Sequence, residues 1–165
     1  MKSKKLLCIL CICISSLGFA QTKQLWAKSF LGKQAPELRI SQWISEQPNT
    51  DGKFILIDFW GTWCGPCIKA IPDMNEYQEE FKEHLVVLGI SKEPIEKVRL
   101  FKKATINYYS GIDLGGSLNN AYGIQGIPHV VLIDPKGTVR WEGFPFLAGH
   151  ELSSKVIEAI IAKYK

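Results

Sequence analysis

The sequence predicts a three-layer α/β domain, a central mixed β-sheet with helices on both faces. Three observations predict it. The runs Phe54 to Trp60 and Leu85 to Ile90 are apolar almost throughout, as strands buried on both faces require. Each is followed by a segment whose apolar residues recur near the helical period. A strand–turn–strand pattern then leads into a last amphipathic segment, and that order of elements closes as layers.

The turn cluster Asn49-Thr50-Asp51-Gly52-Lys53 delivers the chain into the first strand. A helix is expected over 65–82, with Ile68, Ile71, Met74, Tyr77 and Phe81 on one face and a kink at Pro72. A second helix is expected over 94–103. Pro94 suits its first turn, and Ile95, Val98 and Phe101 share a face. A short strand at 107–109 and a short helix at 117–122 follow. His129 to Ile133, the turn Asp134-Pro135-Lys136-Gly137, and Thr138 to Trp141 read as a hairpin. A helix from about Gly149 closes the chain, with Leu152, Val156, Ile160 and Tyr164 as its stripe.

The first twenty residues differ from the rest. Lys2, Lys4 and Lys5 precede the apolar run Leu6 to Ile14, and Ser15, Ser16, Gly18 and Ala20 supply small residues. This is the layout of a secretory signal, with cleavage expected after Ala20. A spanning helix needs roughly 20 apolar residues, more than this run offers; left uncleaved, the segment would serve as an anchor. The sites before Cys8, Cys11 and Cys13 hold Leu7, Leu10 and Ile12, which argues against lipidation. Residues 21–34 are mixed and polar and are expected to form a loosely held arm, with the folded domain spanning 35–165. Loss of three lysines and no acid leaves 17 basic residues against 16 acidic, so the formal charge of +4 falls to +1. No nucleic-acid partner is expected from such a balance. Of the five cysteines, cleavage leaves Cys64 and Cys67.

Those two stand in Trp63-Cys64-Gly65-Pro66-Cys67, between a buried strand and a helix start. Cysteines three apart at that place can close a small disulfide. The first thiol also meets free N–H groups and the positive end of the helix dipole, which lowers its pKa. The second is near enough to attack a mixed disulfide formed by the first. Pro66 fits the first turn, where its missing N–H costs nothing. Two other readings are open. A structural zinc site needs four ligands, and with only His84, His129 and His150 and no second cysteine pair, no metal is expected. An inert disulfide is common in exported chains, but so small a ring stabilises little by loop closure. Asp58, a lone acid inside an apolar strand, must be paired or protonated.

The stretch Ile55 to Cys67 resembles the active-site strand and loop of the thioredoxin superfamily. Pro72 is similar to that family's kinking proline, and Gly126-Ile127-Pro128 before an apolar strand to its cis-proline loop. Gly32-Lys33-Gln34-Ala35-Pro36, Tyr122-Gly123-Ile124 and Leu132-Ile133-Asp134 resemble the exported TlpA/ResA-like branch. The resemblance covers roughly 32–165 and implies a thioredoxin-like sandwich. It implies Cys64 as attacking thiol, Cys67 as resolving thiol, and a redox-active disulfide in place of any cofactor. A cis Pro128 would face the pair, and Ile127 would offer backbone to substrate. Trp63, Gly65 and Pro66 would form the docking surface, while Trp60 would pack in the core. Asp58 would be the buried general base toward Cys67, its pKa raised by burial. Many members of the branch have an uncharged residue there and a glutamate elsewhere; Glu93 is the nearest candidate for it. His129 would either turn its ring to the cysteines or, by strand alternation, away from them; the second is expected.

The Gly-Pro dipeptide resembles that of thioredoxin, a reductant of about −270 mV. The resemblance therefore implies a periplasmic or extracellular disulfide reductase. Its partners would be cysteine-containing exported proteins, apocytochrome among them, and a membrane electron donor, with the chain itself a monomer. A disulfide oxidase or isomerase with the same site, and a non-catalytic binding or chaperone module, are the alternatives. A peroxidase would need Thr or Ser at Gly61 and Pro at Ile57.

Overall fold

The computed structural model describes residues 25–165. The expected signal at 1–20 and the start of the arm lie outside the described residues. Ten elements follow in order: β1 (Gln42–Trp43), β2 (Phe54–Trp60), α1 (Gly65–Glu80), β3 (Leu85–Ser91), α2 (Ile95–Arg99), β4 (Tyr109–Ile112), α3 (Ser117–Tyr122), β5 (His129–Ile133), β6 (Val139–Gly143) and α4 (Ser154–Tyr164). The strands form one six-stranded sheet in the order β1-β4-β3-β2-β5-β6. β2, β3 and β4 run parallel, while β1, β5 and β6 pair antiparallel to their neighbours. The expected mixed sheet with helices on both faces is the architecture observed.

Alternation along β2 divides its side chains between two cores. Phe54, Leu56 and Trp60 face the layer that holds Cys67, Ala70, Ile71 and Met74 of α1, Val98 of α2, and Ile157 and Ile161 of α4. Ile57 and Phe59 face Leu118 and Tyr122 of α3. β2 and β3 are the middle strands, covered on both sides, which is why they lack a polar face.

Several boundaries differ from expectation, and β1 falls where no strand was expected. α2 stops at Arg99 with Leu100 as its cap, and farther on Asn75 of α1 holds the chain: its Nδ2 donates to the Thr105 carbonyl at 2.9 Å and its Oδ1 accepts the Asn107 N–H at 2.7 Å. That capture delays β4 to Tyr109, which pairs with Leu88. α4 starts at Ser154 because Ser153 caps it, accepting the Val156 N–H. Leu152 is thus a buried peg ahead of the helix, its N–H bound to the Pro145 carbonyl and its carbonyl to the Tyr77 hydroxyl. The stripe of α4 centres on Ile157 and Ile161, flanked by Val156, Ile160 and Tyr164. α1 ends at Glu80 and continues through Pro72.

The expected loose arm is, in its described part, firmly held. Leu31 and Gln34 form bridges to Val139 and Thr138. The Lys28 N–H donates to the Tyr122 carbonyl at 2.9 Å. The Phe30 N–H and the Ser29 hydroxyl donate to the buried carboxylate of Glu142, the former at 2.8 Å. A buried carboxylate demands such donors, and the sequence of the arm gave no sign of which residue it would serve.

Candidate active site

β2 ends at Trp60, and four residues later Cys64 caps α1 in extended conformation. Its Sγ accepts the Cys67 N–H at 3.2 Å, so one of the free amides of the helix start is aimed at this sulphur. Gly65 and Pro66 form the exposed first turn, and a disulfide joins Cys64 to Cys67. Cys67 is fully buried and Cys64 is 3% exposed, whereas the Trp63 ring beside them is 67% exposed. Trp60 is buried in the core, as expected.

The Ile127–Pro128 bond is cis, also as expected. Trp26 of the arm packs on this loop: its carbonyl accepts the Gln125 N–H at 2.7 Å, and a Cβ at Gly126 would lie 3.1 Å from the Trp26 Cβ. Trp26, Ile127, Pro128, His129 and Phe144 line a cavity of about 300 Å³. His129 is buried on the Phe59 face of β5, ring centroids 6.3 Å apart, the face opposite the core that holds the cysteines. The expected outcome of the alternation is the one found.

Asp58 lies between Leu56 and Trp60 on the cysteine side of the sheet and is completely buried. Burial raises its pKa from 3.8 to about 7, against the smaller lowering influence of the Tyr108 hydroxyl. Directly opposite on β3 stands Gly89. Its missing side chain leaves room for the Tyr108 ring, since a Cβ there would lie 2.7 Å from Tyr108 Cε2. Neither Tyr108 nor Gly89 could be singled out from the sequence. Tyr108 lies in a bend before a strand, and only the strand register brings Gly89 to Asp58.

Glu93 is in a different setting. Its carboxylate accepts the Thr62 N–H at 2.6 Å and the Thr62 hydroxyl at 3.0 Å, and it pairs with Lys97. Partial burial pushes its pKa up, but Lys97 and the two Thr62 donors outweigh this and hold it below the ordinary value. The geometry makes Glu93 an ionised clasp on the loop before Cys64, unsuited to accept a proton near neutrality. No group of His, Cys, Asp and Glu among the described residues could hold a metal ion.

A family model of the AhpC/TSA family matches residues 31–142. The chain is 31% identical over 154 residues to the thiol-disulfide oxidoreductase ResA of Bacillus thuringiensis subsp. konkukian, covering 86% of this chain and 89% of that protein. The chain belongs to the AhpC/TSA family. Within this thioredoxin-like family it stands with the ResA-type thiol–disulfide oxidoreductases, and that is its class of activity. Solved structures agree on the fold. A putative protein disulfide isomerase from Bacteroides thetaiotaomicron superposes with a TM-score of 0.66 at 24% identity, covering 84% of this chain and 90% of that one. A putative thiol:disulfide interchange protein DsbE from Chlorobium tepidum superposes with 0.65 at 23% identity, covering 82% and 98%. Among the described residues of this family member, no helix is long and apolar enough to cross a membrane.

Proposed function

We propose that this chain is an exported protein-disulfide reductase working through the dithiol of Cys64 and Cys67. The observation that carries the reading is the placement of the pair: Cys64 caps α1 with an amide aimed at its sulphur, Cys67 lies buried behind it, and an exposed Trp63 adjoins them. In the reduced protein the Cys64 thiolate attacks one sulphur of a substrate disulfide, and the expelled substrate thiolate takes up a proton. Cys67 then loses its proton to Asp58 and attacks the Cys64 sulphur. The second substrate thiol leaves, and the Cys64–Cys67 disulfide holds the two electrons' worth of oxidation. A membrane donor of electrons restores the dithiol, and the redox-active disulfide is the only cofactor needed. Substrates are cysteine-bearing exported proteins, apocytochrome included, received in extended form along Ile127 and Pro128 with Trp63, Gly65 and Pro66 as the docking surface. Export by the leader at 1–20 supplies the periplasmic or extracellular location.

A Cys67→Ser variant expressed in the native compartment tests the reading, because it stops the cycle at the mixed disulfide. Exported proteins with reducible cysteines are the expected captures, and an equilibrium potential near that of thioredoxin, about −270 mV, is expected of the unsubstituted chain. A potential well above this would make the site an oxidase or isomerase. Absence of both captures and insulin reduction would leave only a binding module.

A further inference from the structure

The carboxyl of Asp58 and the hydroxyl of Tyr108 are both buried, and with the disulfide closed neither makes a hydrogen bond. β3 places Gly89 and β5 places Val130 beside Asp58, the bend before β4 brings Tyr108 and Trp60 brings its indole over Gly89, and Cys67 of α1 lies in the same buried core with apolar residues of α2 and α4. Burial and Tyr108 are the influences on the ionisation of Asp58; no lysine or arginine shares in it. The fold has made room for this meeting. Gly89 sits opposite Asp58, and a methyl group there would strike Tyr108 Cε2 at 2.7 Å and Trp60 Nε1 at 3.2 Å. Burial and the nearby Asp58 both push the tyrosine pKa well up, so its hydroxyl keeps its proton and can only donate toward a carboxylate.

We propose that Tyr108 is a positioning residue for the resolving half of the cycle: carried over Gly89, its hydroxyl donates to the Asp58 carboxylate and holds it ready to receive the Cys67 proton. The inference rests on the reading of Asp58 as base. A donor in this place stabilises the ionised form of a buried acid that desolvation would otherwise keep protonated. When the Cys67 proton arrives, the Asp58 carboxyl becomes neutral and the tyrosine hydroxyl remains a neutral neighbour, so no charge is stranded.

The test is the rate at which Cys67 resolves a preformed mixed disulfide on Cys64, followed against pH in unsubstituted protein and in the Tyr108→Phe, Asp58→Asn and doubly substituted variants. Tyr108→Phe should slow resolution about tenfold near pH 6, with little change at pH 9, because loss of a bond to a charged group moves the acid limb up by about one unit. The substitution should have no further effect in the Asp58→Asn background. Gly89→Ala, which displaces the ring without touching the hydroxyl, should shift the limb the same way and serves if Tyr108→Phe does not fold. An unmoved limb in these variants, with Asp58→Asn still slow, overturns the role of Tyr108 alone. A tenfold loss that persists without the Asp58 carboxyl also overturns it. A fast, unchanged Asp58→Asn variant overturns the base reading and with it the proposal.

Discussion

Asp58 is the residue on which chemistry and stability pull in opposite directions. Its carboxyl holds a proton up to about pH 7 in the folded chain, whereas an unfolded chain releases it near the ordinary value of 3.8. Between those values the native state binds more protons than the unfolded one, so stability falls as pH rises through that window. The cost approaches 1.4 kcal/mol for each pH unit crossed. Asp58→Asn should therefore flatten the profile and, in the disulfide form, unfold at higher urea than the unsubstituted chain at pH 8, with little difference at pH 4. The same variant should resolve mixed disulfides on the order of 10²-fold more slowly; stopped-flow mixing with mass spectrometry of the trapped species measures it. The acid was legible in the sequence because a charge inside Phe54 to Trp60 has no cheap explanation. Its tyrosine partner was not, because the two are brought together by pairing of strands distant in sequence. The clasp role of Glu93 was hidden for a like reason: its partner Thr62 lies 31 residues away.

At the scale of elements, the helix start of α1 makes Cys64 and Cys67 unequal. Cys64 is the cap and Cys67 lies inside the first turn, so Cys64 should be the acidic thiol. Alkylation rate against pH on Cys64→Ser and Cys67→Ser variants checks this, and faster reaction of Cys67 at pH 6 would reverse the assignment. α4 depends on a single side chain at its beginning. Ser153→Ala should cost about 1 kcal/mol in urea unfolding, the usual worth of such a cap. That cap was missed because the apolar spacing of Leu152, Val156, Ile160 and Tyr164 fits a helix begun earlier. Spacing gives the period of an element, while its ends depend on which side chain reaches a free amide. Strands β2, β3 and β5 were readable for the opposite reason: burial of nearly every side chain leaves an almost continuous apolar run, and their ends fall at turn residues.

For the molecule as a whole, the described part of the arm, residues 25–34, is part of the fold. Removing residues 21–34 would leave the Glu142 carboxylate without the Ser29 and Phe30 donors and uncover the Tyr122 ring, which meets Phe30 edge-on at 5.4 Å. A loss on the order of 2 kcal/mol is expected for the two bonds given up, read as a lower urea midpoint with the disulfide intact. The strand order has a second bearing on this arm. β1 and β6 are the outermost strands, and an outermost strand presents unpaired amides and carbonyls that can template the addition of another chain. β1 spans only two residues and offers little to copy. The longer β6 is masked where it begins: the Gly32 N–H donates to the Val139 carbonyl and the Val139 N–H to the Lys33 carbonyl, each at 2.9 Å. The arm that serves the Glu142 carboxylate thus also guards the sheet's own margin against the addition of a foreign strand.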